Sequence, residues 1–302
     1  MLPEGVYVAA ITPRRTNACE IDLAAALELI DYLGGTGAKG IALLGSTGEF
    51  THFDLGERAR LIAFAAKRSR IPIIAGVGHS TLDGALALAR EASSAGVAAV
   101  LLMPPYFFPY RQAEIEEFYL QFAAELDGAA PILLYNIPAF TSPIECETAI
   151  RLLSTGRFAG IKDSSGDFES FLRLKPVCAE RNLTLLAGHD SIFTRARMAG
   201  AAGIISGVAC AVPELLLALD SAICSGSSEK RERLNARLQE FINWIERFPP
   251  PAAINEAVRL RGFKAGRPAV PLDQSARQQM AEFGNWFQAW LPVVRKEADS
   301  EG

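Results

Sequence analysis

Phe158-Ala159-Gly160-Ile161-Lys162-Asp163 is a short, continuously apolar run that ends in two charges. Its hydrophobicity does not alternate, so a strand over it is buried on both faces, as in a parallel sheet. Seven runs of the same kind surround it: Val6–Thr12, Gly40–Gly45, Ile71–Gly78, Ala98–Pro104, Pro131–Ile137, Leu183–Gly188 and Ala202–Ser206. Amphipathic, helix-like stretches separate them. Strand and helix alternating eight times predicts an α/β fold, a closed (β/α)8 TIM barrel in preference to a doubly wound open sheet. No G-x-G-x-x-G follows the first run, which argues against a dinucleotide-binding sheet.

Helix starts are legible between the runs. Asp54 stands three residues before Glu57, and Ser142-Pro143 precedes Glu145, so both segments are expected to open with a capping box. Pro213 is placed to be the first residue of a helix after the eighth strand. Beyond Cys224-Ser225-Gly226-Ser227-Ser228 the pattern changes. Leu234, Leu238, Phe241, Ile242 and Ile245 share one helical face, and Met280, Phe283, Phe287 and Trp290 share another, with Pro249-Pro250-Pro251 between them. The expected division is a catalytic barrel over 1–225 and a helical extension packed on it over 226–302.

The chain has 302 residues, half of them hydrophobic, and a formal net charge of −4. It offers no basic stripe for nucleic acid and no polybasic segment for an anionic membrane. The start, Met1-Leu2-Pro3-Glu4-Gly5, lacks the basic and apolar regions of a secretory signal. No apolar run approaches the ~20 residues of a membrane helix. The five cysteines (Cys19, Cys146, Cys178, Cys210, Cys224) are widely spaced and contain no C-x-x-C pair. Reduced, cytoplasmic thiols are expected, mostly as small core residues.

A barrel carries its chemistry where the strands end, on the loops that follow them. Lys162 is the most informative residue there. Burying an ammonium is expensive, so a strand lysine has a job or an ion partner. Desolvation favours the neutral form of a buried amine, the form that attacks a ketone. The plainer alternative is a salt bridge to Asp163. Tyr135 closes the fifth run, where a phenol can shuttle protons, or where it is an ordinary core tyrosine. Gly45-Ser46-Thr47-Gly48-Glu49 follows the second run. Two glycines around two hydroxyl residues let N–H and O–H groups turn toward an anion, although a tight strand-to-helix turn reads the same way. Its spacing is not that of a nucleotide phosphate loop.

Together, Gly45-Ser46-Thr47-Gly48-Glu49, Tyr135-Asn136-Ile137-Pro138 and Gly160-Ile161-Lys162-Asp163 resemble the dihydrodipicolinate synthase / N-acetylneuraminate lyase family, and the likeness runs from Thr12-Pro13 to Pro271-Leu272. The resemblance implies a class I aldolase, a lyase forming a Schiff base between Lys162 and pyruvate or another 2-keto acid, with an aldehyde as partner. Tyr135 would then donate and accept protons, assisted by Thr47. Ser46, Thr47 and Gly48 would hold the carboxylate, and Ile205 would contact pyruvate through its backbone carbonyl. It further implies no metal or organic cofactor and a homotetramer, a dimer of dimers.

Two positions depart from the synthase pattern. Phe107, in Tyr106-Phe107-Phe108, stands where synthases carry a second tyrosine, and Phe140 stands where they carry an arginine for the second substrate's carboxylate. Cleavage or condensation of a C–C bond, or dehydration of a 2-keto-3-deoxy sugar acid, is therefore expected. The alternative is a genuine 4-hydroxy-tetrahydrodipicolinate synthase using aspartate semialdehyde. The acceptor pocket is expected around Phe107, Phe140, Ser165 and Ser206. Arg14 and Arg15 are the nearest free cations, expected to be solvated. Two other classes stay open: a metal-dependent barrel enzyme using His52, His79, His189 and Asp190, and a keto-acid-binding barrel without catalysis.

Overall fold

The computed structural model describes residues 2–15 and 20–300; Cys19 lies outside them. Eight strands close a barrel in chain order: β1 (Gly5–Ala9), β2 (Gly40–Leu43), β3 (Ile73–Gly76), β4 (Ala99–Leu102), β5 (Ile132–Asn136), β6 (Gly160–Asp163), β7 (Thr184–Ala187) and β8 (Gly203–Ser206). Every neighbouring pair is parallel, and β8 returns to β1 through Gly5↔Gly203 and Tyr7↔Ile205. All strand residues are buried, which is why the runs carry no alternation. The paired strands are shorter than the apolar runs. After β1, for instance, Ala10, Ile11 and Thr12 remain buried as loop.

Outer helices return the chain between strands: α1 (Leu23–Gly34), α2 (Leu55–Arg68), α3 (Leu82–Ser94), α4 (Gln112–Leu126), α5 (Cys146–Ser154), α6 (Phe168–Glu180) and α7 (Phe193–Met198). After β8 come α8 (Val208–Ala211) and α9 (Pro213–Ser225), the latter opening on Pro213 as expected. Asp54 caps α2 by accepting from the Glu57 N–H at 2.8 Å. The reciprocal half of that box is absent: Glu57 accepts instead from the Ile21 N–H at 2.9 Å, tying the loop after β1 to α2. Ser142 is not a cap. Its hydroxyl accepts from the Tyr110 N–H, and α5 starts later, after Glu145.

Three helices follow: α10 (Ser228–Ile245), α11 (Ala252–Leu260) and α12 (Gln274–Asp299). The prolines 249–251 lead directly into α11, a helix between the two expected ones. Phe241 of α10 packs among Phe283, Phe287 and Trp290 of α12, with ring centroids 5.6 to 6.1 Å apart. Each such buried aromatic contributes about 1.5–3 kcal/mol by leaving water. Ile245 is half-buried and turned to a cavity over the barrel mouth. No helix among the described residues is long and apolar enough to cross a membrane.

Candidate active site

Lys162 and Tyr135 are register partners on β6 and β5, so both side chains point into the barrel at its catalytic end. Both are buried, 4% and 1% exposed, and the Lys162 Nζ lies 4.1 Å from the centre of the Tyr135 ring. The next pair, Asn136 and Asp163, points the opposite way, as strand alternation requires. Asn136 donates to Asp163 at 2.8 Å, and Ser165 donates to the same carboxylate through its hydroxyl at 2.8 Å. The alternative of a Lys162–Asp163 salt bridge is thus not realised. Burial pushes the Asp163 carboxyl upward, and its donors from Ser165 and Asn136 oppose the rise.

Space for the lysine is made by Gly188. A Cβ there would stand 2.1 Å from Ser164 Oγ and 2.7 Å from Lys162 Cε. Any side chain at 188 would press on the lysine's methylene chain and displace the amine.

Above the pair sits the loop after β2. β2 ends at Leu43; the next residue, Leu44, takes a left-handed conformation with φ of 57°, and Glu49 closes the turn at φ of 49°. Non-glycine residues adopt that region at a cost of about 1–3 kcal/mol, so packing must hold the turn in place. Ser46 Oγ is 3.2 Å from the Tyr135 hydroxyl, either oxygen able to donate. Thr47 lies on the other side, its Oγ1 beside Gly207, where a Cβ would come within 2.9 Å. The hydroxyl in reach of the phenol is therefore that of Ser46. Thr47 and Ser46 both face a cavity of about 360 Å³, also lined by Gly188, His189 and Asp190. Gly48 packs against the Leu44 backbone, and the loop is tethered to α11 by Asn255, which donates to Glu49 at 3.1 Å.

The expected acceptor residues do not share one place. Ser206 donates to Asp190 across the ends of β8 and β7, at the wall of this cavity, and Ile205 precedes it, buried. Phe107 and Phe140 line a second cavity of about 400 Å³ on the far side of Ser46. They are 87% and 53% exposed, and Phe107 is left-handed at φ of 84°. Ser165 belongs to neither, because Asp163 holds it outside the barrel. Asp190 is the residue that strand-end reading underused. Burial raises its carboxyl from the ordinary range, against the opposing influence of Ser206, His189 and Lys162.

The cations differ from expectation. Arg14 is buried, with its guanidinium 4.8 Å from the centre of the Phe53 ring, while Arg15 is exposed and paired with Glu20. Arg14 also forms an isolated antiparallel bridge with Ile21. The three histidines stay apart. His52 lies beside Glu49, His79 beside Thr81 and His189 beside Ser191. No cluster of three metal-ligating side chains occurs among the described residues.

Comparison with known sequences decides the relationship. The chain matches the dihydrodipicolinate synthetase family over residues 2–284. It belongs to that family. The chain is 31% identical over 283 residues to a 4-hydroxy-tetrahydrodipicolinate synthase of Pelobacter propionicus, covering 91% of this chain and 95% of that one. It is 33% identical over 239 residues to a DapA-like lyase of Halobacterium salinarum, covering 78% and 77%. Among solved structures, dihydrodipicolinate synthase from Aquifex aeolicus superposes with a TM-score of 0.88 at 25% identity, covering 95% of this chain and 98% of that one. A sialic acid aldolase of Ruminococcus gnavus shares the fold, with a TM-score of 0.86 at 22% identity and coverage of 96% and 97%. As a member of the family, this chain is an enzyme, a lyase of the class I aldolase type.

Proposed function

We propose that the chain is a pyruvate-dependent lyase in which Lys162 forms a Schiff base with a 2-keto acid. The observation that carries this reading is the buried Lys162 amine against the Tyr135 ring, with the Tyr135 hydroxyl at Ser46 under the cavity. The neutral amine attacks the keto carbon to give a carbinolamine, and loss of water gives the imine. Tyr135 supplies the proton to the departing hydroxyl and, through Ser46, exchanges it with the cavity. Loss of a methyl proton gives an enamine, whose carbon bonds to the aldehyde carbon while the aldehyde oxygen takes a proton. Water then hydrolyses the imine, releasing a 4-hydroxy-2-keto acid and the free lysine. The reverse sequence cleaves the same bond.

The remaining roles are part of the same reading. Thr47, Ser46 and Gly48 are assigned to the keto-acid carboxylate, Ile205 to a backbone contact, and Asp190 with Ser206 to a hydroxyl of the partner. The reaction requires neither a metal nor an organic cofactor. The same reading takes 1–225 as the catalytic barrel, 226–302 as its extension, and a cytoplasmic homotetramer as the working form. Exposed Phe107, Phe108 and Phe140 give such an assembly an apolar surface to cover. Pyruvate with borohydride is the test: a stable adduct on Lys162, located by mass spectrometry, is expected. An adduct elsewhere, or none during turnover, sinks the mechanism.

The names of relatives favour a second reading, condensation of pyruvate with aspartate semialdehyde. That substrate brings a second carboxylate, and an unpaired, desolvated carboxylate costs several kcal/mol. Neither cavity meeting at Ser46 is lined by Arg or Lys, and Phe140 offers no charge. The lyase acting on another aldehyde is the better supported of the two. Competition among aldehydes at saturating pyruvate separates them: a kcat/KM for aspartate semialdehyde above all others restores the synthase reading.

A further inference from the structure

The cavity beside Asp190 has two unlike sides. Ser46, Thr47, His189, Asp190 and Ser191 make one of them. Facing them stand Ile242, Ile245, Phe248, Pro250, Pro251 and Ile254, all from α10, α11 and the turn between. The charge-bearing groups on the lining are Asp190, the exposed Glu246 and, when protonated, His189, one of whose ring nitrogens is bonded to Ser191 at 2.8 Å. The neighbouring cavity adds Glu49 and His52. An acceptor carrying its own carboxylate enters a site that already holds carboxylates and supplies no Arg or Lys. A long polyhydroxylated tail fares little better, because its hydroxyls would face isoleucine, phenylalanine and proline without partners.

We propose that the second substrate is an uncharged aldehyde with a hydroxyl beside the reacting carbonyl and an aliphatic or aromatic remainder. The hydroxyl lies against Asp190, which buried Ser206 holds by donating to it, and the remainder against the wall formed by α10 and α11. A volume of about 360 Å³ suits a small molecule. Condensation makes one C–C bond between the enamine carbon of pyruvate and the aldehyde carbon; the aldehyde oxygen becomes a hydroxyl, and water releases the product from Lys162. The proposal rests on the Schiff-base reading of Lys162.

The experiment uses the full-length protein with saturating pyruvate and measures kcat/KM for lactaldehyde, 2-hydroxybutanal, 2-hydroxyhexanal, 2-hydroxy-2-phenylacetaldehyde, glyceraldehyde and aspartate semialdehyde. Borohydride trapping with pyruvate alone runs in parallel. Along the hydroxyaldehyde series kcat/KM is expected to rise about fourfold per added methylene, the effect of burying that group. Glyceraldehyde and aspartate semialdehyde fall below 2-hydroxyhexanal and the phenyl compound by at least tenfold. Ile245→Asn, at a half-buried position, is expected to cut the ratio of 2-hydroxyhexanal to lactaldehyde at least fivefold. An adduct on Lys162 with glyceraldehyde or aspartate semialdehyde ranked first overturns the proposal and leaves the Schiff base standing. So does a ratio that Ile245→Asn leaves unchanged in a folded variant. Absence of any adduct overturns both.

Discussion

In the proposed mechanism three groups at the barrel mouth carry most of the chemistry, and they come from three strand ends. Lys162 Nζ lies over the Tyr135 ring, 4.1 Å from its centre, and the Tyr135 hydroxyl lies 3.2 Å from Ser46 Oγ, which faces the cavity. Tyr135→Phe keeps the ring under the lysine and removes only the hydroxyl proposed to carry the proton. Its kcat is expected to fall by roughly 10²–10⁴-fold with an unchanged circular dichroism spectrum. Ser46→Ala is expected to fall further than Thr47→Ala in kcat, since Ser46 alone of the two reaches the phenol; equal losses would move the relay to Thr47. Asp190 gives a prediction about stability. Its carboxyl is raised by burial, so the folded chain keeps that proton to higher pH than the unfolded chain does. The group therefore stabilises least once pH has risen past its folded value, and Asn imitates the protonated form. Asp190→Asn should melt higher than the parent at pH 7, with the gap closing toward pH 4; a gap constant with pH removes Asp190 as its cause. Lys162 and Tyr135 were legible because a buried ammonium and a strand-end phenol are unusual in a run of aliphatics. The Asp190–Ser206 pair was not, because two ordinary polar residues 16 positions apart acquire meaning only when β7 and β8 lie side by side.

At the level of elements, burial on both faces made the strands readable, and their exact ends unreadable. Apolar loop residues such as Ile11 continue the run past the last paired residue. Helix starts were readable where the cap is local. Asp54 and the Glu57 N–H are three residues apart, and Asp54→Ala is expected to cost about 1 kcal/mol in denaturant unfolding. Ser142 failed as a cap because a partner distant in sequence, the Tyr110 N–H, takes its oxygen. The link between β6 and β7 gives a sharper test. Gly188→Ala places a methyl against Ser164 and Lys162 Cε, and displacing an amine by about 1 Å costs on the order of 10²-fold. The rate of Schiff-base trapping should drop by that order while the fold persists. Trapping at the parental rate would show that the amine has room to spare.

For the molecule as a whole, eight repeats announced the barrel, and the change of pattern near 226 announced the helices after it. What stayed hidden was that two of those helices, α10 and α11, wall the cavity at the barrel mouth, since no local periodicity says which end of a barrel an amphipathic face will cover. α10 and α12 are held to each other by the aromatic cluster around Phe283. Phe283→Ala is expected to cost roughly 3–5 kcal/mol and to lower the melting temperature. A change under 1 kcal/mol would mean the cluster adds little.

The apolar wall from 242 to 254 and Lys162, the proposed reacting amine, are built by separate stretches of chain. Mutation can therefore explore one while selection guards the other. A lineage can trade its aldehyde by drifting in α10 and α11, never risking the amine, the phenol or the carboxylate loop. Such separation makes a barrel of this kind an easy parent for new activities, and it marks 242–254 as the segment to exchange when a new one is wanted.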